Sequence, residues 1–377
     1  DMSVTIRPVT TKAGLKQFIR FPWKIYRGKK NRYDNWVPPL LIGEKELFDT
    51  EENPFYRHAD IENFQAFRDG REVGRISAIV DWNYVEFHNE KAGFFGFFEG
   101  ENDPEIARAL FSEAEKWVRD KGMERIIGPM NPSTNHILGV LIDSFDEPPM
   151  VQMNYNPPYY PVLIEGCGYS QERDLYCYRL LRGKVEISDK IRRVTELSRK
   201  RNNLTIRPID MKRLDEEVET IRELYNSAWE RNWGFVPWTR DEFDKMAEEL
   251  KLIARPELAL MVFTDEKLVG LSIPLPNINE VLIKMNGRLF PFGIFRLLLG
   301  KNRTRMFRVA IMGVRSEYRN KGIDAVFALE TYERGKSLGY EGADLSWVLE
   351  DNLGLRNMLE AWGTERYRTY RVYGKAL

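Results

Sequence analysis

Cysteine is almost absent from this chain. Cys167 and Cys177 are the only two in 377 residues, too few for a disulfide framework or a zinc cluster, which suits a reducing cytoplasm. Histidine is nearly as scarce, and His58, His88 and His136 stand far apart, so no metal centre is expected. Serine nucleophile elbows, His-Glu-x-x-His helices and Walker loops are missing, which argues against metal-assisted and nucleotide hydrolysis. Neither sign of charge is in excess. With 57 basic residues against 57 acidic ones, no global field draws the chain to nucleic acid or to an anionic bilayer, and any polyanion site has to be local. What remains is 43% hydrophobic, 30% charged and 12% aromatic. That composition suits a globular chain, and at ~100 to 200 residues per domain it suggests two or three domains.

One architecture is written twice. Val4-Thr-Ile-Arg-Pro-Val9 returns as Leu204-Thr-Ile-Arg-Pro-Ile209, each an alternating strand before a charged amphipathic helix. Asp69-Gly-Arg-Glu-Val-Gly74 is echoed by Asp265-Glu-Lys-Leu-Val-Gly270, a polar turn between β-rich runs. Each copy continues with a strand (94–98 and 307–313), a long helix (104–121 and 322–338) and a glycine C-cap, Gly122 or Gly339. A buried strand follows (125–130 and 342–347), then a short helix, Gly168 or Gly363, and an aromatic strand (174–178 and 369–373). The pattern predicts an α/β chain of the α+β type, in which two tandem domains each hold a mixed, mostly antiparallel sheet flanked by helices. The expected domains are 1–180 and 204–377, joined by a connecting helix within 181–203 whose apolar stripe is Ile187, Ile191, Val194 and Leu197.

The chemistry concentrates in the second copy. The apolar strand 309–314 runs into Arg315 and then Arg319-Asn320-Lys321-Gly322-Ile323-Asp324-Ala325, where a helix opens. Amides at a helix start are unpaired donors with partial positive charge, and Gly322 lets an anion approach the main chain. Between 301 and 321 lie Lys301, Arg303, Arg305, Arg308, Arg315, Arg319 and Lys321 against Glu317 alone, seven minus one or +6. The guest predicted for this patch is a phosphate. The equivalent turn of the first copy carries Glu99, Glu101, Asp103 and Glu105 without a cation, and a diphosphate there would meet like charge.

The segment 319–325 resembles the Arg/Gln-x-x-Gly-x-Gly/Ala loop of the GCN5-related N-acetyltransferase (GNAT) superfamily, which cradles the pyrophosphate of acyl-coenzyme A. Asp324 departs from that pattern by putting a carboxylate at the last small-residue position. Longer strings are similar to a two-domain group that includes the bacterial ceramide synthases: Asn35-Trp-Val-Pro-Pro-Leu40, Gly93-Phe-Phe-Gly-Phe-Phe-Glu99, Gly128-Pro-Met-Asn131, Ser346-Trp-Val-Leu-Glu-Asp-Asn352 and Tyr370-Arg-Val-Tyr373. The resemblance implies an N-acyltransferase that moves an acyl group, of fatty length in the ceramide synthases, from coenzyme A to an amine. It implies that Gly313 and Val314 offer amides to the thioester carbonyl, that residues 315–325 hold the diphosphate, and that Asn352 touches the pantetheine arm or orients the loop. Glu350 and Asp351, carboxylates at the end of the strand, are the candidates for proton removal. Trp229, Asn232 and Trp233, with Trp347, fall where the family places acceptor-facing residues. The tyrosine that many acetyltransferases use as general acid is absent, since its positions hold Leu359 and Ile164.

A last feature is the stretch 281–299, in which twelve of nineteen residues are apolar and Lys284, Arg288 and Arg296 occur without an acid. Those cations keep it below the ~18 uninterrupted apolar residues of a spanning helix, so it is expected to lie at a membrane surface, to cover an acyl chain, or to pack between domains. Two other functions fit the same architecture: a transfer-RNA-dependent aminoacyltransferase, which needs a broad basic face that zero net charge does not suggest, and a non-catalytic lipid-binding protein.

Overall fold

The computed structural model describes residues 3–28, 33–185 and 187–377. The chain divides into two compact units, one comprising Asp1–Leu175, Leu282–Ile294 and Arg368–Leu377, the other Tyr176–Val281 and Phe295–Tyr367.

In the first unit, β1 (Thr5–Pro8), β2 (Ala59–Arg68), β3 (Arg71–Asp81) and β4 (Ala92–Gly100) pair antiparallel in that order. The β2–β3 turn is the Asp-Gly pair read in the sequence, with Asp69 at φ 51° and Gly70 at φ 73°, the left-handed geometry a two-residue hairpin turn needs. Next, β5 (Arg125–Gly128) runs parallel to β4, from Arg125 opposite Ala92 to Ile127 opposite Phe94. The helices are α1 (Lys12–Arg20), α2 (Pro22–Tyr26), α3 (Leu41–Leu47), α4 (Trp82–His88), α5 (Pro104–Asp120) and α6 (Tyr160–Gly166), after which β6 spans Ser170–Leu181. Helix α5 buries Ile106, Ala107, Leu110, Phe111, Ala114 and Val118, a helical-period stripe that packs with Phe64, Ile76, Phe95 and Ile126 of the strands.

The far end of the chain completes this core. Tyr373 lies opposite Gly128 and Ala376 opposite Arg125, and the Tyr373 ring is wholly buried in the cluster around α5. Arg371 grips Asp174 through two hydrogen bonds of 2.8 and 2.9 Å, and that contact is the main reason its guanidinium is held above its ordinary pKa. The repeat in the sequence assigned the strand at 369–373 to the second copy, whereas the strand from Arg368 onward belongs to the first unit.

The second unit repeats the plan. Its helices and strands are α7 (Asp189–Arg201), β7 (Leu204–Pro208), α8 (Leu214–Trp229), α9 (Arg240–Ile253), β8 (Leu260–Thr264), β9 (Lys267–Pro276), α10 (Asn279–Leu282), α11 (Gly293–Gly300), β10 (Met306–Val314), α12 (Ile323–Ser337), β11 (Gly342–Leu349), α13 (Leu353–Ala361) and β12 (Glu365–Ala376), several of which cross the division between units. Strands β7 to β10 pair antiparallel in sequence order. Strand β11 then runs parallel to β10, from Gly342 opposite Met306 to Leu345 opposite Val309. Its other neighbour is β6, whose Leu180 carbonyl lies where a side chain on Gly342 would be, 2.6 Å from that Cβ position. So this strand, expected in the first copy, closes the second sheet from Tyr176 onward.

Asp174→Ala and Arg371→Ala are each expected to cost about 2 kcal/mol, because either leaves a mostly buried charge without its partner. In a thermal melt this is a fall of roughly 4–8 °C in the transition of the first unit. The double variant is expected to be little worse than either single one. Additive losses would show that the two side chains act independently.

Candidate active site

The β10/β11 ladder ends at Val309 and Leu345 while the strands run on to Val314 and Leu349. Beyond β10 comes a one-turn helix over Ser316–Tyr318, then Asn320 at φ 60° and Gly322 at φ 75° before α12 begins. Two left-handed residues flanking Lys321 turn the backbone into a concave nest. Gly322 is the N-cap of α12 and no side chain caps the helix, so the amides of its first turn have no acceptor within the helix. Asp324 lies in that same first turn.

Helix α7 supports the loop from behind. The Ser198 hydroxyl donates to the Lys321 carbonyl at 2.5 Å, the Asn202 amide donates to it at 3.3 Å, and Arg192 pairs with Glu333 of α12 at 2.6 Å. A Cβ on Gly322 would lie 3.1 Å from the Ser198 hydroxyl oxygen. The connecting helix is thus part of the second unit and clamps its loop. Arg315 donates to the Leu268 carbonyl at 2.8 Å, and Arg319 donates to the Ala228 carbonyl at the end of α8. Lys321 lies over the Tyr318 ring, 4.4 Å from its centre. Glu317, the one acid of the segment, is bound by Lys267 at 3.0 Å, and its pKa is lowered first by a backbone hydrogen bond and then by that lysine.

The charge count over 301–321 overstates the field at the loop. Arg308 is 3% exposed and points inward, while Arg305 lies near Glu280 and Glu341, at 3.9 and 3.7 Å. Arg308 instead joins a buried network that sequence reading missed. It donates to the Ser346 hydroxyl at 3.0 Å and to the Ser346 carbonyl at 3.2 Å, and its guanidinium sits 4.9 Å over the Trp347 ring. The Ser346 hydroxyl donates to Asp344, whose other oxygen accepts from Tyr367 at 2.6 Å. The signal was present in the sequence as an Asp and a Ser inside the otherwise apolar strand 342–349.

Other candidates are distributed as follows. Glu350 is half-buried and Asp351 exposed in the turn after β11. Asn352 caps α13, its side-chain oxygen accepting from the Leu355 amide at 3.2 Å, so neither acid is the helix cap. Trp229 stacks on Tyr225 at 4.2 Å. Its ring also lies against Gly313, where a Cβ would be only 2.2 Å away. Asn232 and Trp233 are half-buried in the turn after α8, the Asn232 amide donating to the Trp229 carbonyl at 2.8 Å. On the face formed by β10, β11, α12 and α13 lies an apolar cleft holding about 610 Å³ of unfilled space, open solvent included, with Phe307, Val309, Leu345, Leu359 and Trp362 among its walls.

The first unit differs at every one of these points. Asp103 caps α5, its carboxylate accepting from the Glu105 amide at 2.8 Å. The acids of that turn do have cations, supplied from the β2–β3 hairpin: Arg68 binds Asp103 and Glu105 at 2.7 Å each, and Arg71 binds Glu101. Past the end of its parallel ladder, the Met130 carbonyl stands 1.9 Å from where a Cβ on Gly96 would be, and the Asn131 side chain accepts from the Phe97 amide at 2.7 Å. The chain itself fills the gap. Nearby, Glu99 accepts from Tyr26 at 2.8 Å and Tyr160 at 2.5 Å.

Two such sheets, each ending a parallel ladder beside a helix start, define a tandem GNAT fold. A tandem GNAT protein from the clavulanic acid biosynthesis pathway superposes with a TM-score of 0.54 over 99% of this chain and 98% of its own, at 10% identity. No family model matches the chain. Among curated proteins, the bacterial ceramide synthase of Caulobacter vibrioides is 35% identical over 391 residues, 100% of this chain and 98% of its own. The Escherichia coli protein YghO is 36% identical over 381 residues, covering 99% and 95%. The chain therefore belongs to the two-domain GNAT group that includes the bacterial ceramide synthase, and it is an N-acyltransferase.

Burial pushes the Glu99 carboxyl up to about 7 from 4.5, against the hydrogen bonds of Tyr160 and Tyr26 and the charge of Arg75, which lower it. The folded chain keeps this proton where the unfolded chain has released it, so stability falls as pH rises from about 4.5 to about 7, and the loss is complete and constant above that window. Glu99→Gln is expected to remove a loss of about 3 kcal/mol across it, seen as a flatter dependence of Tm on pH. An unchanged slope would show that Glu99 titrates normally.

Proposed function

We propose that the second unit binds acyl-coenzyme A at residues 315–325 and passes its acyl group to an amine. The observation that carries this reading is the contrast between duplicates: α5 has its amides capped by Asp103, and α12 begins at Gly322 with none. An uncapped nest beside Arg315, Arg319 and Lys321 suits a diphosphate, and the first unit, capped and filled, has no such role. In the reaction, the amine nitrogen bonds to the thioester carbon, the carbon–sulfur bond breaks, and the thiolate leaves and takes up a proton. Amides at Gly313 and Val314 polarise the carbonyl as charge builds on its oxygen. Glu350 takes the amine's proton, directly or through water. It is half-buried where Asp351 is exposed, and on that ground Glu350 is the preferred base.

The acyl group is of fatty length and the acceptor a lipid amine of the sphingoid type. Support comes from the name of the Caulobacter relative and from the apolar lining of the cleft beside β10 and β11.

Calorimetric titration with acetyl-, octanoyl- and palmitoyl-coenzyme A tests the site. Arg319→Glu and Gly322→Val are each expected to weaken all three at least tenfold, the first by charge and the second by straining the left-handed nest and crowding Ser198. Equal binding by the native and charge-reversed proteins contradicts the assignment. For the base, Glu350→Gln is expected to lower kcat about 100-fold with little change in acyl-coenzyme A affinity. A larger loss in Asp351→Asn would move the role to that residue.

A further inference from the structure

The acyl-transfer reading leaves one surface unused. Among the described residues, thirteen large hydrophobic side chains are exposed, and five of them fall within ten consecutive residues: Phe290 at 67%, Phe292 at 73%, Phe295 at 63%, Leu298 at 51% and Leu299 at 67%. Such clustering is not the scattered exposure normal for a protein surface. Phe295, Leu298 and Leu299 stand at i, i+3 and i+4 of α11, so one helical face presents all three. Leu252, 68% exposed at the end of α9, adjoins this face, because Lys301 donates to its carbonyl at 3.0 Å.

The charge around this apolar ridge has one sign. From 281 to 305 there are Lys284, Arg288, Arg296, Lys301, Arg303 and Arg305 and no Asp or Glu. Only Arg305 reaches an acid, outside the segment. The other five make no ion pair among the described residues. Lys284, Arg288, Arg296 and Arg303 are exposed. Unpaired cations beside uncovered aromatic and leucine side chains would repel a second copy of the same face, and they complement a surface that is negatively charged above an apolar layer.

We propose that Phe290–Leu299 is a docking face for an anionic lipid bilayer. Phe292, Phe295, Leu298 and Leu299 enter the boundary between headgroups and acyl chains, and Arg288, Arg296, Lys301 and Arg303 rest on the lipid phosphates. No described helix is long and apolar enough to cross a membrane, so the attachment is peripheral and reversible. It would hold the enzyme where lipid amines and fatty acyl groups are concentrated, yet it does not depend on the acyl-transfer assignment.

The test is flotation of the full chain with vesicles of phosphatidylcholine alone and of phosphatidylcholine with phosphatidylglycerol. The native protein is expected to bind the anionic vesicles at least tenfold better than the neutral ones, with the difference shrinking at high salt. Phe292→Ser combined with Phe295→Ser and Leu298→Ser is expected to lose at least tenfold on anionic vesicles. Arg288→Glu combined with Arg296→Glu is expected to do the same, and it keeps the test decisive should the apolar variant fold poorly. Acetyl-coenzyme A titration of both variants reads the loop separately and is expected to be unchanged. Native protein that floats with neither vesicle overturns the proposal, as do variants that bind like the native chain. A native dimer that the apolar substitutions split into monomers also overturns it, because the face would then join two copies.

Discussion

A helix start whose amides are left uncapped costs free energy until something accepts from them. Helix α12 is in that condition, because Gly322 has no side chain with which to cap it. The surrounding structure keeps the amides open and not merely neglected. Ser198 and Asn202 donate to the Lys321 carbonyl, Arg315 is anchored to Leu268, and Arg319 to the end of α8. Each anchor fixes a backbone or a cation in advance, so little ordering remains to be done when an anion arrives.

The first unit shows what the same framework looks like when this cost has been removed. Asp103 caps α5, Arg68 and Arg71 neutralise the neighbouring acids, and Met130 and Asn131 occupy the space past the end of the parallel ladder. The carboxylates of that turn and the Phe97 amide each have an internal partner. The fold alone is indifferent to the difference, which lies in a handful of side chains at one helix start and one strand end.

Much of this was legible in the sequence because it is local. The hairpin turns, the glycine caps and the basic loop each announce themselves within a few residues, and the order of the landmarks identified the fold. What the sequence concealed depends on long-range pairing. Nothing in 369–373 says that this strand lies beside 125–128, since both aromatic strands suit either sheet equally well. Arg308 was read with the surface cations, because charge gives no sign of direction until the register places it opposite Asp344. Trp229 was read as an acceptor-facing residue, yet the missing side chain at Gly313 lets its ring lie against the strand. Glu99 was one of four acids in a row, and only the tyrosines brought from α2 and α6 set it apart.

The buried network at the end of the β10/β11 ladder follows from the parting of those strands. Where two paired strands separate, carbonyls that a neighbour would have satisfied are left without one, and a buried carbonyl cannot remain so. Arg308 resolves this by donating to the Ser346 carbonyl, one residue past the last ladder pair at Leu345. A guanidinium taken out of water then needs compensation of its own. Its Nε finds an acceptor in the Ser346 hydroxyl, that hydroxyl is in turn bound to Asp344, and Tyr367 completes the carboxylate. A hydrophobic residue at 308 would avoid the cost of burying charge, but it would leave the Ser346 carbonyl unsatisfied. The strands would then be free to pair further and close the space that a thioester must enter. The network thus marks where the ladder ends, beside the loop proposed to bind acyl-coenzyme A.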